Sequence, residues 1–75
     1  MRIVLDTSAL MSLTAGGILD LVAESIDCVV PGRVKAEIQG LSRNNDFDGN
    51  LAKTINEFLG NGIEVLEKEY LFSSA

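Results

Sequence analysis

Histidine is absent from the 75-residue sequence and cysteine occurs once, at Cys28, and these two shortages exclude several kinds of active site. Without histidine there is no serine or cysteine catalytic triad, no histidine general base and little scope for zinc chemistry. A single cysteine forms no disulfide within the chain and no zinc cluster, so the favoured interpretation of Cys28 is a small buried apolar residue. Any catalysis must therefore depend on carboxylates, hydroxyls and a few cations.

Positive charge is also scarce, because 6 lysines and arginines stand against 11 aspartates and glutamates and the net charge is −5. This balance argues against a protein that holds nucleic acid on a broad basic surface. It does not exclude a nuclease, because acids gathered in a cleft bind metal cations, and the cations then contact the phosphate.

Long apolar runs are missing as well. No run approaches the roughly 18 residues of a membrane span, and Asp6 interrupts the first one too early for a signal peptide. We therefore expect a cytoplasmic protein without a membrane partner. The apolar content of 47% indicates a folded chain, and residues 1–75 suffice for one small domain. A domain of this size buries only about 60–65% of its unfolded surface, so we expect marginal stability.

The segment formed by residues 2–10 organises the rest of the chain. Its three consecutive apolar residues at positions 3–5 predict a short, fully buried strand. Asp6 and the two hydroxyl residues after it accept hydrogen bonds from a helix's first turn, so we expect a short helix to begin here. A carboxylate at the carboxyl end of a parallel strand also lies where open α/β sheets bind ligands. A helix cap and a ligand site are about equally good interpretations of Asp6 at this point.

Hydrophobic patterning predicts the remaining elements. We expect helices over residues 18–24, 32–41 and 51–59 and strands over residues 27–30 and 63–66. Strands joined by a helical segment predict a parallel pair with a right-handed crossover, and hence the α/β class. The polar stretch 42–50 predicts a loop in which Asp48 or Asn50 caps the next helix. A charged run at 67–69 and an apolar start at 70–72 follow the last strand.

Glu37 lies about 60° of helical rotation from the apolar stripe of the helix predicted over 32–41. A carboxylate at the border of a buried face can point along the surface of the sheet. An ordinary boundary glutamate, or an exposed partner for a lysine one turn away, is the plain structural interpretation.

Two stretches of the sequence, taken together and in this order, resemble the PIN-domain nucleases. The first is VLDTSAL (residues 4–10), and the second is VPGRVKAEI (residues 30–38), which matches the family pattern Val-Pro-x-x-Val-x-x-Glu-Ile. The sequence looks most like the PIN proteins that process archaeal ribosomal RNA and the toxin nucleases of toxin–antitoxin pairs. The resemblance covers the N-terminal portion of the family pattern.

The resemblance implies a three-layer α/β/α fold, truncated here to a short parallel sheet of about three strands. It also implies a Mg²⁺- or Mn²⁺-dependent endoribonuclease that hydrolyses RNA phosphodiester bonds with a metal-bound water. Position by position, Asp6 and Glu37 correspond to the first two catalytic, metal-binding acids, and Thr7 and Ser8 to the hydroxyl residues that brace the site. This fits Mg²⁺ chemistry, because Mg²⁺ keeps several waters and takes one or two carboxylates.

Further partners follow from the same resemblance. RNA is the implied substrate, and an antitoxin is the implied partner of a toxin-type nuclease. Arg33, Lys35 and Arg43 lie on or just past the helix of Glu37 and are candidates for contact with the RNA backbone. Scattered cations on a helix surface need no substrate, and we favour this second interpretation about two to one.

The sequence departs from the family in its later part. The family's third acid, which opens a later helix, and its fourth, after a strand ending in Thr-Asn-Asp, have no counterpart, and Asp46 and Asp48 come too early to replace them. We therefore expect weak cation binding and little or no RNA cleavage without a complementing C-terminal half. The alternative is a non-catalytic module that pairs its open sheet edge with a second copy or another partner. A phosphate-accepting receiver domain fits less well, because its further acid pair and later lysine are not recognisable.

Overall fold

The structure is a computed structural model, and it describes residues 2–66. The expectations for residues 67–75 lie outside the described residues. In chain order the elements are β1 (Arg2–Val4), α1 (Thr7–Ala15), α2 (Leu19–Ser25), β2 (Asp27–Pro31), α3 (Gly32–Leu41), α4 (Phe47–Phe58) and β3 (Glu64–Leu66). The predicted α/β class is confirmed, and no helix within residues 2–66 is both long and apolar enough to cross a membrane.

The three strands form one parallel sheet in the order β1-β2-β3. Ile3 pairs with Cys28 on β2, and Val30 of β2 pairs with Val65 on β3. The ladder continues one residue past β1, because the Leu5 amide donates to the Val29 carbonyl at 2.9 Å. The expected parallel pair is therefore confirmed, and within the described residues β1 is an edge strand.

All four helices of the described region belong to one side of the sheet. Right-handed crossovers between sequential neighbours place their helices on the same face, and α1 and α3 both pack against α4. Residues 2–66 therefore supply two layers, one of helices and one of strands. The buried cluster lies between the layers and takes Ile3, Cys28, Val30 and Val65 from the sheet.

The expectation that the first strand is fully buried is wrong. Val4 is 63% exposed, and since it alternates with Ile3 and Leu5 its side chain points to the opposite face of the sheet. Ile3 and Leu5 point to the helical layer and join the core. Three consecutive apolar residues gave no alternation from which this one-sided burial could be recognised.

The largest fully buried side chains of the helical layer are Leu10 of α1, Ile38 of α3 and Ile55 of α4. Cys28 is 2% exposed, which confirms its interpretation as a buried apolar residue. Burial raises the pKa of its thiol, and the nearby Asp27 carboxylate raises it further. A thiol in this state is neutral at physiological pH and is a poor nucleophile.

Helix α4 begins earlier than expected. Asp46 caps it by accepting a hydrogen bond from the Gly49 amide at 2.7 Å, so the expected cap at Asp48 or Asn50 is wrong. Position 49, in the first turn of α4, requires glycine, because a β-carbon there would collide with the Asn44 carbonyl. A glycine that permits close packing inside a helix resembles a loop glycine when only the sequence is known.

The other boundaries are close to expectation. Helix α1 runs for 9 residues instead of about one turn, and it ends before Gly17, whose φ is +74°. Chain reversal after α4 uses two further glycines with positive φ, Gly60 and Gly62. Ile63 forms an isolated bridge with Leu59, so β3 proper begins at Glu64.

Candidate metal-binding site

Asp6 lies in the connection between β1 and α1, at the carboxyl edge of the sheet. Its backbone is extended, and its Oδ1 accepts a hydrogen bond from the Ala9 amide at 2.8 Å, so it is the N-cap of α1. The cap accounts for one carboxylate oxygen. The other, Oδ2, accepts no hydrogen bond from residues 2–66. Both interpretations of Asp6 are therefore compatible with its geometry.

Glu37 reaches the same edge from α3, the helix that follows the neighbouring strand β2. Helix α3 starts directly after β2, and Glu37 is the sixth of its 10 residues. The side chain is exposed, and its Oε1 accepts a hydrogen bond from the Thr7 hydroxyl at 2.5 Å. As with Asp6, the second oxygen accepts no hydrogen bond from the described residues.

The two sequence motifs are brought together by the Thr7–Glu37 hydrogen bond. Thr7 is covalently next to Asp6, so a contact across 30 residues of chain joins the first motif to the second. The topology explains the encounter, because parallel neighbours end at the same edge of a sheet. The resemblance indicated that Thr7 braces the site, but the particular contact with Glu37 was not foreseen. The sequence signal for this contact is that Thr7 and Glu37 both follow strands predicted to be parallel neighbours.

Ser8, the other proposed bracing residue, is placed differently. Its side chain is exposed and its hydroxyl makes no hydrogen bond within the described region. The structure therefore joins Thr7, and not Ser8, to an acidic residue.

The three candidate RNA-contacting cations lie on α3, the helix of Glu37, or just after it. Arg33 is exposed in the first turn of α3, one helical turn before Glu37, and Arg43 is exposed just after the helix. Lys35 is half-buried and lines an open cavity of about 570 Å³ beside β3, together with Gly62 and Glu64. Neither Asp6 nor Glu37 lines that cavity, so Lys35 faces a different part of the surface.

The donor set defines which cation the site fits. Among the described residues there is no group of three or more histidine, cysteine, aspartate or glutamate side chains that could hold a metal. Two carboxylates with one open oxygen each do suit a cation that keeps most of its own waters, as Mg²⁺ does. The arrangement fits a hydrated Mg²⁺ or Mn²⁺ ion and not one enclosed by protein ligands.

Comparison with known protein families, with curated proteins and with solved structures produced no significant match. The features of this chain that bear on function are the two motifs and the hydrogen bond that joins them.

Proposed function

We propose that this chain contributes the Asp6–Glu37 part of a Mg²⁺- or Mn²⁺-dependent endoribonuclease site of the PIN type. The observation that carries the proposal is the Thr7–Glu37 hydrogen bond, which brings the two PIN-like motifs to one edge of the sheet. In this proposal RNA is the substrate and the protein works in the cytoplasm. An antitoxin is a partner if the nuclease is of the toxin type rather than the type that processes ribosomal RNA.

The chain's own residues hold and orient the acids. The Ala9 amide fixes Oδ1 of Asp6, and the Thr7 hydroxyl fixes Oε1 of Glu37, so the remaining oxygens are available to a cation or to its waters. A bound divalent cation would lower the pKa of a coordinated water and stabilise negative charge on the phosphate. Two carboxylates provide a weak field for so strongly hydrated an ion, so we expect weak binding and poor cleavage unless a complementing segment adds acids.

Titration calorimetry with MnCl₂ and cleavage of single-stranded RNA test this function. Asp6→Asn is a clean variant, because asparagine caps a helix as well as aspartate does while removing the charge. We expect Asp6→Asn and Glu37→Gln each to weaken Mn²⁺ binding about tenfold or more. Asp48→Asn is the matched control, since Asp48 is an exposed acid in the first turn of α4. Equal Mn²⁺ affinities for the unmodified chain and for the Asp6 and Glu37 variants would overturn the proposal.

A second candidate function is self-association through the open edge of β1. The position of β1 at an edge of the sheet within the described residues favours it, because an edge strand presents unpaired backbone N–H and C=O groups. The proposed partner is a second copy, whose β1 extends the sheet.

Sedimentation velocity over a range of concentrations tests this second function. We expect a dimer that Val4→Lys disrupts, because lysine on an edge strand opposes edge-to-edge pairing. Leu21→Lys is the control, since Leu21 is 60% exposed on α2. A chain that stays monomeric at all concentrations, or a dimer that survives Val4→Lys, excludes this function.

A further inference from the structure

We infer that Thr7 is the positioning residue of the carboxylate pair: its hydroxyl holds Glu37 in the orientation that binds the cation, and Ser8 has no such role. This inference depends on the proposed function, since it assigns a task within the same site. It goes beyond the resemblance, which treats both hydroxyl residues as braces without distinguishing them.

The first argument is the mismatch in rigidity between the two partners. An exposed glutamate has several freely rotating bonds, and binding a cation would restrict them. Thr7 is β-branched, so its hydroxyl has few rotamers, and it occupies the first position of a helix whose start is fixed by the Asp6–Ala9 bond. A rigid donor therefore orients a flexible acceptor, and the ordering is already complete before a cation arrives.

The second argument is the character of the bond. The separation of 2.5 Å between the Thr7 hydroxyl and Glu37 Oε1 is that of a charge-assisted hydrogen bond to a carboxylate. Such a bond directs one oxygen of Glu37 toward α1, and no donor among residues 2–66 reaches the other. Because Thr7 directly follows Asp6, the same bond ties the side chain of Glu37 to the residue next to Asp6.

A purely structural role makes a different prediction. If the bond only tied α1 to α3, its loss would lower the free energy of unfolding and leave the affinity of the folded chain for Mn²⁺ unchanged. Affinity and stability therefore have to be measured on the same variants.

The experiment compares Thr7→Val, Thr7→Ser and Ser8→Ala by titration calorimetry with MnCl₂ and by urea unfolding. Valine has nearly the shape of threonine but no hydroxyl, so we expect Thr7→Val to lower Mn²⁺ affinity about tenfold, as loss of an outer partner of a metal ligand does. Thr7→Ser keeps a hydroxyl at this position and should bind Mn²⁺ as tightly as the unmodified chain does. Ser8→Ala should also bind Mn²⁺ with unchanged affinity. In a Glu37→Gln background Thr7→Val should cause no further loss, because the two side chains act as a unit.

The possible failures are distinguishable. If Asp6→Asn abolishes binding while Thr7→Val leaves it unchanged, or if Ser8→Ala lowers affinity as much as Thr7→Val, the inference is wrong and the proposed function stands. If the unmodified chain and Asp6→Asn bind Mn²⁺ equally, the proposed function fails and the inference fails with it. Should Thr7→Val not fold, Thr7→Ala replaces it, and affinity equal to that of the unmodified chain then overturns the inference.

Discussion

The two ends of the sheet each bring acidic side chains together, but they treat them differently. At the amino end, Arg2 bonds to Asp27 at 3.1 Å and to Glu64 at 2.9 Å, so one guanidinium connects all three strands. At the carboxyl end, Asp6 and Glu37 receive hydrogen bonds from an amide and a hydroxyl, and neither forms an ion pair within the described residues.

The difference indicates separate purposes for the two clusters. Acids that already have a cation in the fold contribute to the register of the strands, and their charge is compensated. The acids at the carboxyl end are oriented by hydrogen bonds, and among residues 2–66 no donor reaches the second oxygen of either one. Under the proposed function a divalent cation from solution binds the carboxyl-end acids, whereas Arg2 already pairs with the acids at the amino end.

The largest loss of stability is expected from a substitution in the core beneath α3, the helix that carries Glu37. Ile38 is fully buried and follows Glu37 on α3, so Ile38→Ala should lower the free energy of unfolding by about 2–5 kcal/mol. In a domain of this size such a loss can unfold the chain. Urea unfolding followed by circular dichroism measures it, and Ile38→Val, expected to cost about 1 kcal/mol, is the milder control. A small effect of Ile38→Ala would mean that α3 is not anchored by its core face.

Under the proposed function, Mn²⁺ should stabilise the carboxyl end of the sheet and not the amino end. At ten times its dissociation constant, Mn²⁺ should raise the free energy of unfolding by about 1.4 kcal/mol, since it binds only the folded chain. Thermal unfolding with and without MnCl₂ checks this. Asp6→Asn should abolish the stabilisation, while Asp27→Asn at the amino end should preserve it. Equal stabilisation of both variants would show that Mn²⁺ acts elsewhere.

The two tasks of Asp6 can be separated by comparing two substitutions. Asp6→Ala removes the cap of α1 and should cost about 1 kcal/mol of stability without any metal, whereas Asp6→Asn should cost little. Both should lose Mn²⁺ binding. Urea unfolding in the presence of EDTA gives the stabilities. If the two variants are equally stable, the cap does not contribute to the stability of α1.

The smallest effect is expected at the amino end. Arg2→Gln removes the cation shared by Asp27 and Glu64, but all three side chains are about half exposed, and exposed ion pairs contribute little. Stability should fall slightly at low salt and less at high salt, because salt screens such pairs. Mn²⁺ affinity should be unchanged. A change in Mn²⁺ affinity would contradict the separation between the two clusters.

Much of the local structure could be predicted from short stretches of the chain. The cap at Asp6 depends on residues within one helical turn, and the helix over residues 32–41 follows from an apolar stripe whose period is that of an α-helix. The start of α4 could not be predicted in this way. The close approach of Gly49 to the Asn44 carbonyl is a packing relation, which no single-residue propensity expresses.

The sequence by itself determined the α/β class, the parallel pairing of its first two strands and the two short motifs that contain Asp6 and Glu37. The strands, helices and motifs depend on periodicities and residue types within short stretches of the chain, and the parallel pairing follows because a helical segment joins the two strands. Tertiary structure alone decided which face of β1 is buried and that Thr7 meets Glu37 across 30 residues. Thr7 and Glu37 come within hydrogen-bonding distance because the parallel strands that precede them end at the same edge, and that alignment is a property of the assembled sheet.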